Sequence, residues 1–259
     1  MGTLARRIGV PPRSRRIQDV RVKALDTPRP EPELSWIIPM YRTTAHLAEL
    51  LSRISQATAS MGVTHEIVLV DDACPDGSGV LAGQLIVDFP VARVLRLPHN
   101  HGQDGALRAG LRVCLGQWAV LIDADLQDPP EAVAELWSAR APGIDAVLAK
   151  RTGRYTSAAR HMTSWLYRRL ASLVSGLPQG ACLFALIHRP LIDHIAATKR
   201  DTISILAAIA GARGTCAIAP ITRSTRPSGS SAYSTWRRVD KALHSLWQMF
   251  LSRRLSVPL

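Results

Sequence analysis

The chain has 259 residues, of which 47% are hydrophobic, and a formal net charge of +12. This length and composition predict one large domain, with or without appendages, that buries a substantial core. Its four scattered cysteines form no zinc-ligand or disulfide pattern, its N-terminus has no apolar signal region, and its longest apolar stretch, 203–212, is shorter than the about 20 residues that cross a bilayer.

Charge is distributed unevenly along the chain. Residues 34–149 hold 7 basic and 13 acidic residues, whereas residues 150–259 hold 17 basic and 3 acidic residues. An acidic half followed by a basic half indicates that an anionic ligand or surface meets mainly the second half. Nucleic acid, a lipid phosphate and a membrane surface would each satisfy this condition.

The predicted elements begin after a segment rich in arginine and proline. Residues 1–33 lack hydrophobic periodicity and are predicted to be a disordered basic arm. Short apolar runs typical of buried strands then alternate with amphipathic stretches typical of helices. The predicted strands are 34–39, 65–70, 92–97, 118–123 and 145–150, and the predicted helices are 43–62 (capped by Thr43 or Thr44), 79–89, 102–116 and 130–139. This alternation predicts an α/β fold with a mostly parallel sheet, whose ligands bind beyond the carboxyl ends of the strands.

The pattern changes after residue 150. A long amphipathic helix is predicted at 157–175, followed by an irregular region to about 221, a polar loop and a final amphipathic helix. In that last helix, an apolar stripe with Trp236 and Trp247 opposes a basic face with Arg237 and Lys241. Such a helix either packs on the sheet or lies in a membrane interface.

The fourth predicted strand ends in the acidic sequence DADLQD, residues 123–128. In an extended chain, Asp123, Asp125 and Gln127 would face the same side and offer three oxygen donors to one ion. Carboxylates that share a divalent cation with phosphate groups are typical of Mg²⁺ or Mn²⁺ sites. Asp128, which precedes two prolines, is equally suited to capping a turn.

Four predicted strand ends carry polar sequences in a fixed order: IIPMYRTT, VLVDDACPDGS, HNHGQDGALRAGL and IDADLQDPP. With AKRTGR after the fifth strand and RSTRPSGSSAY before the final helix, the series resembles glycosyltransferase family 2, particularly the branch that transfers sugars to polyprenyl or dolichyl phosphate. The resemblance covers roughly residues 34–259. It implies a GT-A (Rossmann-like) domain over residues 34–231 and an amphipathic C-terminal helix over residues 232–259.

The resemblance also implies roles for individual residues. It assigns a divalent metal to Asp123, Asp125 and Gln127, and nucleotide-sugar contacts to Pro39, Tyr41, Asp71, Asp72, Asn100, Gly102, Asp123 and Arg151. It implies that Arg160, Ser164, Arg223 and Arg226 meet the acceptor phosphate. Asp125, Arg151 and Asp128 are the expected catalytic residues. Structural alternatives stay open for several of these: a surface charge for each arginine, a turn for Asp71 or Asp72, and helix packing for Gly102 and Gly110, while Asp76 is better suited to capping the next helix.

Two departures from the family pattern concern the nucleotide and the acceptor. Arg42-Thr43 replaces the usual Asn-Glu, which leaves the nucleotide open, and Leu183 and Ala185 stand where an Asp and an Arg are often found. A hydroxyl acceptor needs a general base, whereas a phosphate monoester with a second pKa of about 6 is already an anionic nucleophile. The missing Asp therefore favours a phosphate acceptor or altered activity, with Asp128 as the spare acid if a hydroxyl is used.

The sequence therefore predicts a metal-dependent, inverting glycosyltransferase that moves a sugar from a nucleotide-diphosphate sugar to a polyprenyl-phosphate-type lipid. The alternatives are a glycosyltransferase with a hydroxyl acceptor and a catalytically impaired, nucleotide-sugar-binding relative. The expected partners include an anionic membrane surface and a membrane protein or a second copy of the chain, at a cytoplasmic location on the inner face of the membrane. A dehydrogenase is not expected, because GSGVLAG at 77–83 lies too far from the preceding strand, and nucleic acid is not expected, because few aromatic residues interleave with the arginines.

Overall fold

The computed structural model describes residues 21–22, 31–42, 45–152, 169, 172–198 and 203–222. The strands are β1 (Arg21–Val22), β2 (Leu34–Met40), β3 (His65–Asp71), β4 (Ala92–Arg96), β5 (Trp118–Leu121), β6 (Ala146–Thr152), β7 (Ala181–His188) and β8 (Cys216–Thr222). The helices are α1 (Leu47–Met61), α2 (Ser78–Leu85), α3 (Gly102–Val113), α4 (Val133–Ser138), α5 (Arg189–Ala197) and α6 (Ile205–Ala212), with a 3-10 turn at Pro130–Ala132.

All described strands belong to one sheet with the order β1-β4-β3-β2-β5-β7-β6-β8. The central strand β2 pairs in parallel with β3 and β5, and β3 pairs in parallel with β4. Each of these strands except β2 is preceded by a helix in the chain, as expected for crossover connections between parallel neighbours. The predicted mostly parallel sheet flanked by helices is confirmed.

One antiparallel strand lies in the middle of this sheet. β7 pairs antiparallel with both β5 and β6, while β6 pairs in parallel with the edge strand β8. Because β7 runs opposite to both neighbours, β5 and β6 point the same way, and their carboxyl ends lie at the same edge of the sheet as those of β2 and β3. This edge gathers the polar segments that follow the strands.

The two faces of the sheet bury separate hydrophobic cores. Along β2, Trp36, Ile38 and Met40 pack on the side of α1 and α4, whereas Ile37 packs on the side of α3, α5 and α6. This alternation follows from the two-residue repeat of an extended chain. Among the residues that the structure describes, no helix combines the length and the hydropathy that crossing a bilayer requires.

The observed boundaries differ from the predicted ones at several places. Helix α1 starts at Leu47 after His46, whose side chain makes no capping bond, and the predicted caps Thr43 and Thr44 lie outside the described residues. Strand β1 lies within the segment predicted to be a disordered arm. Apart from residues 169 and 172–175, the predicted helix at 157–175 lies outside the described part of the chain, as does the predicted C-terminal helix.

Gly110 allows α3 to pack closely on the sheet. A Cβ atom at this position would lie 2.4 Å from Ile37 Cγ2 and 3.1 Å from Val70 Cγ2. We therefore expect Gly110→Ala to lower the free energy of unfolding by about 1–3 kcal/mol, the usual cost of overpacking a core. In α2, a Cβ atom on Gly83 would meet nothing within 4 Å, so Gly83→Ala is the matched control and should be neutral or stabilising by up to about 1 kcal/mol. Urea unfolding followed by circular dichroism would test this, and equal stabilities for the two variants would contradict it.

Candidate active site

A pocket of about 590 Å³ lies at the carboxyl ends of β2, β3 and β5. It brings together many of the residues predicted from the sequence to contact the donor or metal, namely Pro39, Tyr41, Asp72, Asn100, Gly102, Asp123 and Asp125. Met40, Arg42, Gln103, Ala106 and Ala124 complete its lining. The polar segments after three separate strands thus meet in one concave site, as parallel strands require.

Three carboxylates in this region repel one another. The pKa of Asp123 is raised to about 6, first by burial and then by the negative charges of Asp125 and Asp128, against the opposing effects of Arg151 and Gln103. Like charges held close together in a partly dehydrated site disfavour ionisation. A bound cation would relieve this repulsion.

The segment after β5 is not extended, so the extended conformation predicted for residues 123–127 is wrong. β5 ends at Leu121, and Leu126 adopts a left-handed backbone with φ of 56°. The chain folds back at this point, and Gln127 donates to both oxygens of Asp125, through its backbone N–H to Oδ1 at 3.1 Å and through Nε2 to Oδ2 at 2.7 Å. Gln127 therefore orients the Asp125 carboxylate; its role as a direct metal ligand stays a prediction.

Asp128 and Arg151 form a bidentate ion pair. Asp128, which is only 2% exposed, accepts from Arg151 Nε at 3.0 Å and from Nη2 at 2.5 Å. Burial lowers the pKa of Arg151, but the hydrogen bonds that it donates to Asp128 and the neighbouring negative charges outweigh this effect, and the net shift is upward. In this arrangement Asp128 is the partner of a guanidinium, and it could act as a base only after the pair opens.

The two aspartates after β3 have different surroundings. Asp72 lines the pocket and is buried, and its Oδ1 accepts from the backbone N–H of His101 at 2.6 Å. Burial raises the pKa of Asp72, while the backbone donors of His101 and Gly102 oppose that shift. Asp71 lies outside the pocket lining and accepts from the backbone N–H of Cys74 at 2.9 Å. Both carboxylates thus have local structural bonds, and only Asp72 reaches the pocket.

Gly77, not Asp76, is the N-cap residue of α2, but the Asp76 side chain still binds the start of the helix from one residue earlier. Its Oδ1 accepts from the backbone N–H of Ser78 at 3.0 Å, in the first turn of α2. This bond joins the loop that follows Asp72 to the start of α2.

Two polar residues that line the pocket were given no role from the sequence. Gln103 in the first turn of α3 donates through Nε2 to Asp123 Oδ1. Arg42 has a left-handed backbone with φ of 55°, and its guanidinium lies 5.5 Å from the centre of the Tyr41 ring. Its backbone N–H also contacts Cys74 Sγ at 2.9 Å. The sequence did contain a clue to each residue. Arg42 comes directly after a predicted strand and Gln103 lies at the start of a predicted helix, and both positions fall on the ligand-binding edge of the sheet.

None of the residues predicted to meet the acceptor phosphate is among those that the structure describes. Arg160, Ser164, Arg223 and Arg226 lie outside the described residues. Leu183 and Ala185, at the positions of the expected Asp and Arg, lie on β7, where Ala185 is fully buried opposite Leu121. Both pack in the core on the α3 side of the sheet.

Solved structures share the fold at low sequence identity. A mannosyltransferase from Pyrobaculum calidifontis, solved in complex with GDP-Man and Mn²⁺, matches with a TM-score of 0.64 and 18% identity over 88% of this chain and 66% of its own. Glucosyl-3-phosphoglycerate synthase from Mycobacterium tuberculosis, in complex with Mn²⁺, UDP and glucosyl-3-phosphoglycerate, matches with a TM-score of 0.58 and 19% identity over 86% of this chain and 80% of its own. These similarities establish the GT-A fold.

Other relatives have a higher sequence identity to this chain than these solved structures do. The undecaprenyl-phosphate 4-deoxy-4-formamido-L-arabinose transferase of Pseudomonas fluorescens (strain Pf0-1) is 34% identical over 212 residues, which cover 80% of this chain and 62% of the relative. The protein of the same name from Salmonella newport (strain SL254) is 33% identical over 217 residues, which cover 82% of this chain and 65% of the relative. The chain thus spans less than two thirds of the length of these relatives. Residues 35–203 match the family model Glycosyl transferase family 2, and the chain belongs to that family.

Proposed function

We propose that the protein transfers a sugar from a nucleotide-diphosphate sugar to a polyprenyl-phosphate-type lipid, with inversion at the anomeric carbon. The observation that carries this proposal is the group of carboxylates at Asp123 and Asp125 within the pocket, next to the guanidinium of Arg151. The ligand-binding edge thus carries both negative and positive side chains. The carboxylates suit the cation that a donor's diphosphate needs, and the guanidinium suits direct contact with the diphosphate. The names of the sequence relatives support the lipid-phosphate acceptor.

The pocket accommodates the nucleotide end of such a donor. Tyr41 is 45% exposed at its rim and offers a ring face for a nucleobase, while Asp72 and Asn100 offer polar groups to the base or the ribose. Arg42, which replaces the usual family residue here, adds hydrogen-bond donors beside the ring. We expect it to favour a base or a sugar that presents acceptor atoms.

A divalent cation, Mg²⁺ or Mn²⁺, fits this donor set. Asp123 and Asp125 supply two mutually repelling carboxylates, which a cation would neutralise. Among the described residues, no group of three or more His, Cys, Asp or Glu side chains is arranged to hold a metal by itself. Mg²⁺ is commonly held by one or two carboxylates together with the phosphates of a substrate. Such an ion would neutralise charge on the departing diphosphate.

The atoms that form and break bonds in the chemical step all belong to the two substrates. An oxygen of the acceptor phosphate attacks the anomeric carbon and forms the new C–O bond, while the bond to the donor's diphosphate breaks and the diphosphate leaves with the electron pair. No proton has to be removed, because a phosphate monoester is largely a dianion above its second pKa of about 6. Arg151 uses Nε and Nη2 for Asp128, so Nη1 can contact the leaving diphosphate without breaking that pair.

The same geometry makes a hydroxyl acceptor the weaker alternative. A hydroxyl would need a general base, and the spare acid proposed for that task, Asp128, is buried and paired with Arg151. Deprotonation by Asp128 would first require loss of two charge-assisted hydrogen bonds, which are among the strongest in proteins.

Transfer assays test the proposal directly. The full chain is incubated with Mn²⁺ or Mg²⁺, a panel of UDP- and GDP-sugars, and undecaprenyl phosphate in detergent, and the lipid product is detected by mass spectrometry. A metal-dependent glycosylated lipid phosphate with inverted anomeric configuration is expected, and undecaprenol should give none. Product from undecaprenol alone would establish the hydroxyl alternative. Binding of a nucleotide sugar without any transfer would instead identify an impaired relative.

The proposal also places the protein at a membrane surface. A polyprenyl phosphate presents its headgroup at the bilayer interface. Residues 150–259 hold 17 basic and 3 acidic residues, and an anionic membrane surface would attract this excess of positive charge. We propose peripheral attachment on the cytoplasmic side, with the predicted C-terminal helix as a contact. Flotation with anionic liposomes should carry the full chain to the top of a density gradient, and no binding at low salt would remove this part of the proposal. Association with a membrane protein or a second copy stays a prediction.

A further inference from the structure

The first turn of α3 contacts two carboxylates that follow different strands. Directly before the helix, the backbone N–H of His101 donates to Asp72 Oδ1 at 2.6 Å. Two residues later, the side-chain amide of Gln103 donates through Nε2 to Asp123 Oδ1. This turn therefore links the end of β3 to the segment that follows β5, and Asp72, Gln103 and Asp123 all line the pocket.

The position of α3 does not depend on Gln103. The Gln103 side chain is exposed, whereas the fully buried Arg108 fixes the helix by donating to the carbonyl oxygens of Ile195 at 3.0 Å and Ile203 at 2.8 Å. Gly110 adds close packing on β2. The amide of Gln103 is thus presented to Asp123 from a helix that other residues hold in place.

The two central carboxylates each have an amide partner. Gln103 bonds Asp123, and Gln127 bonds both oxygens of Asp125. Carboxylates that repel each other would otherwise turn apart, and a hydrogen bond to one oxygen fixes the rotation of the whole group. Residues that orient metal-binding carboxylates in this way set the affinity of a site without touching the ion.

We propose that Gln103 is a positioning residue that holds the Asp123 carboxylate in the orientation in which it accepts the cation of a metal–nucleotide diphosphate. This inference rests on the proposed function. An uncharged amide suits the task, because it donates a hydrogen bond to Asp123 and adds no positive charge that would compete with the cation. The role is distinct from catalysis, since Gln103 acts through Asp123.

The test compares Gln103→Met with Gln56→Met. Methionine keeps the length of glutamine and removes the donor, and Gln56 is an exposed helical glutamine on α1 that bonds only a neighbouring turn, at Ser52 Oγ. The unfolding temperature of each full-length protein is measured against Mn²⁺ concentration, with UDP or GDP in excess. For Gln103→Met, the Mn²⁺ concentration that gives half of the maximal rise is expected to increase by about 10- to 100-fold. Gln56→Met and wild type should agree.

Kinetics provide a second readout. In the transfer assay, the KM for Mn²⁺ of Gln103→Met should rise by a similar factor, while kcat at saturating Mn²⁺ should change much less. An equal Mn²⁺ dependence in wild type and Gln103→Met would overturn the inference and leave the proposed function standing. A fall in the unfolding temperature without Mn²⁺ and nucleotide would also overturn it, because Gln103 would then be structural. If neither diphosphate with Mn²⁺ stabilises wild type, the metal-dependent function itself fails, and the inference fails with it.

Discussion

Asp125→Ala is expected to abolish sugar transfer while the protein stays folded. The substitution removes a carboxylate from the pocket and leaves the two Gln127 donors without their acceptor. Loss of one group that stabilises charge in a transition state commonly lowers kcat by about 10²–10³-fold, or about 3–4 kcal/mol. Because the negative charge of Asp125 also raises the pKa of Asp123, its removal relieves repulsion, which offsets the loss of the two Gln127 hydrogen bonds, and the metal-free protein should stay folded. Initial rates at saturating donor and Mn²⁺, together with circular dichroism, measure both effects.

Two further variants separate charge from shape and position. Asp125→Asn keeps the size of the side chain and removes its charge, so it should lose activity nearly as fully as Asp125→Ala. Asp88, an exposed aspartate in the loop before β4, is the control, and Asp88→Ala should retain wild-type turnover. Undiminished transfer by folded Asp125→Ala would refute the metal assignment of this residue.

Removing either partner of the Arg151–Asp128 pair is expected to destabilise the protein, and removing both should cost less than the sum. Arg151→Ala would leave a carboxylate that is 2% exposed without its counter-ion, and breaking a buried pair costs about 3–5 kcal/mol. Since the Arg151 side chain is 34% exposed, we expect about 3 kcal/mol, with a coupling between the two residues of about 1–3 kcal/mol. A second Asp128→Ala substitution should recover stability but not transfer, because the diphosphate contact of Arg151 stays lost.

A double-mutant cycle in urea, with transfer assayed on the same proteins, provides the measurement. The pair Arg189–Asp193, at 3.0 Å and four residues apart on one helix, has a carboxylate that is 63% exposed; it is the control and should show a coupling of about 0.5 kcal/mol or less. Strict additivity at Arg151 and Asp128 would show that their contact is energetically unimportant. Recovery of transfer in the double variant would show that Arg151 acts only on Asp128.

The strands and helices up to about residue 150 were predictable from the sequence, whereas the strands after that residue were not. Up to residue 150, apolar runs and amphipathic helices alternate clearly, and each predicted strand from 34 onward has a counterpart within a few residues. Strand β5 ends two residues early because the chain folds back toward Leu126 with its positive φ. In the second half, the apolar run 203–212 proved to contain α6, and 181–188 proved to be β7. Short apolar segments of this kind give no periodicity that separates helix from strand.

In the site, the positions of the main carboxylates could be predicted from the sequence, but their hydrogen-bond and ion-pair partners could not. The positions of Asp72, Asp123 and Asp125 at strand ends were enough to predict that they meet in one pocket. The partners of those groups were not predictable, since Gln103 lies 20 residues from Asp123 and Arg151 lies 23 residues from Asp128. Such contacts depend on the register of the strands and the tilt of the helices. A pattern read along the chain contains neither.

The insertion of β7 between β5 and β6 has a consequence for how the protein is made. β5 and β6 come first during synthesis, yet in the sheet they are separated by a strand that follows both, so they stand about 10 Å apart, or two strand spacings. Until residues 181–188 emerge from the ribosome and insert, β5 has an unpaired edge, and Arg151 has no fixed distance from Asp128. A nascent chain that stops before β7 therefore exposes an apolar edge prone to aggregation. We expect the acidic and basic sides of the site to join late in folding, which makes this interval the one in which the growing chain most needs protection by a chaperone.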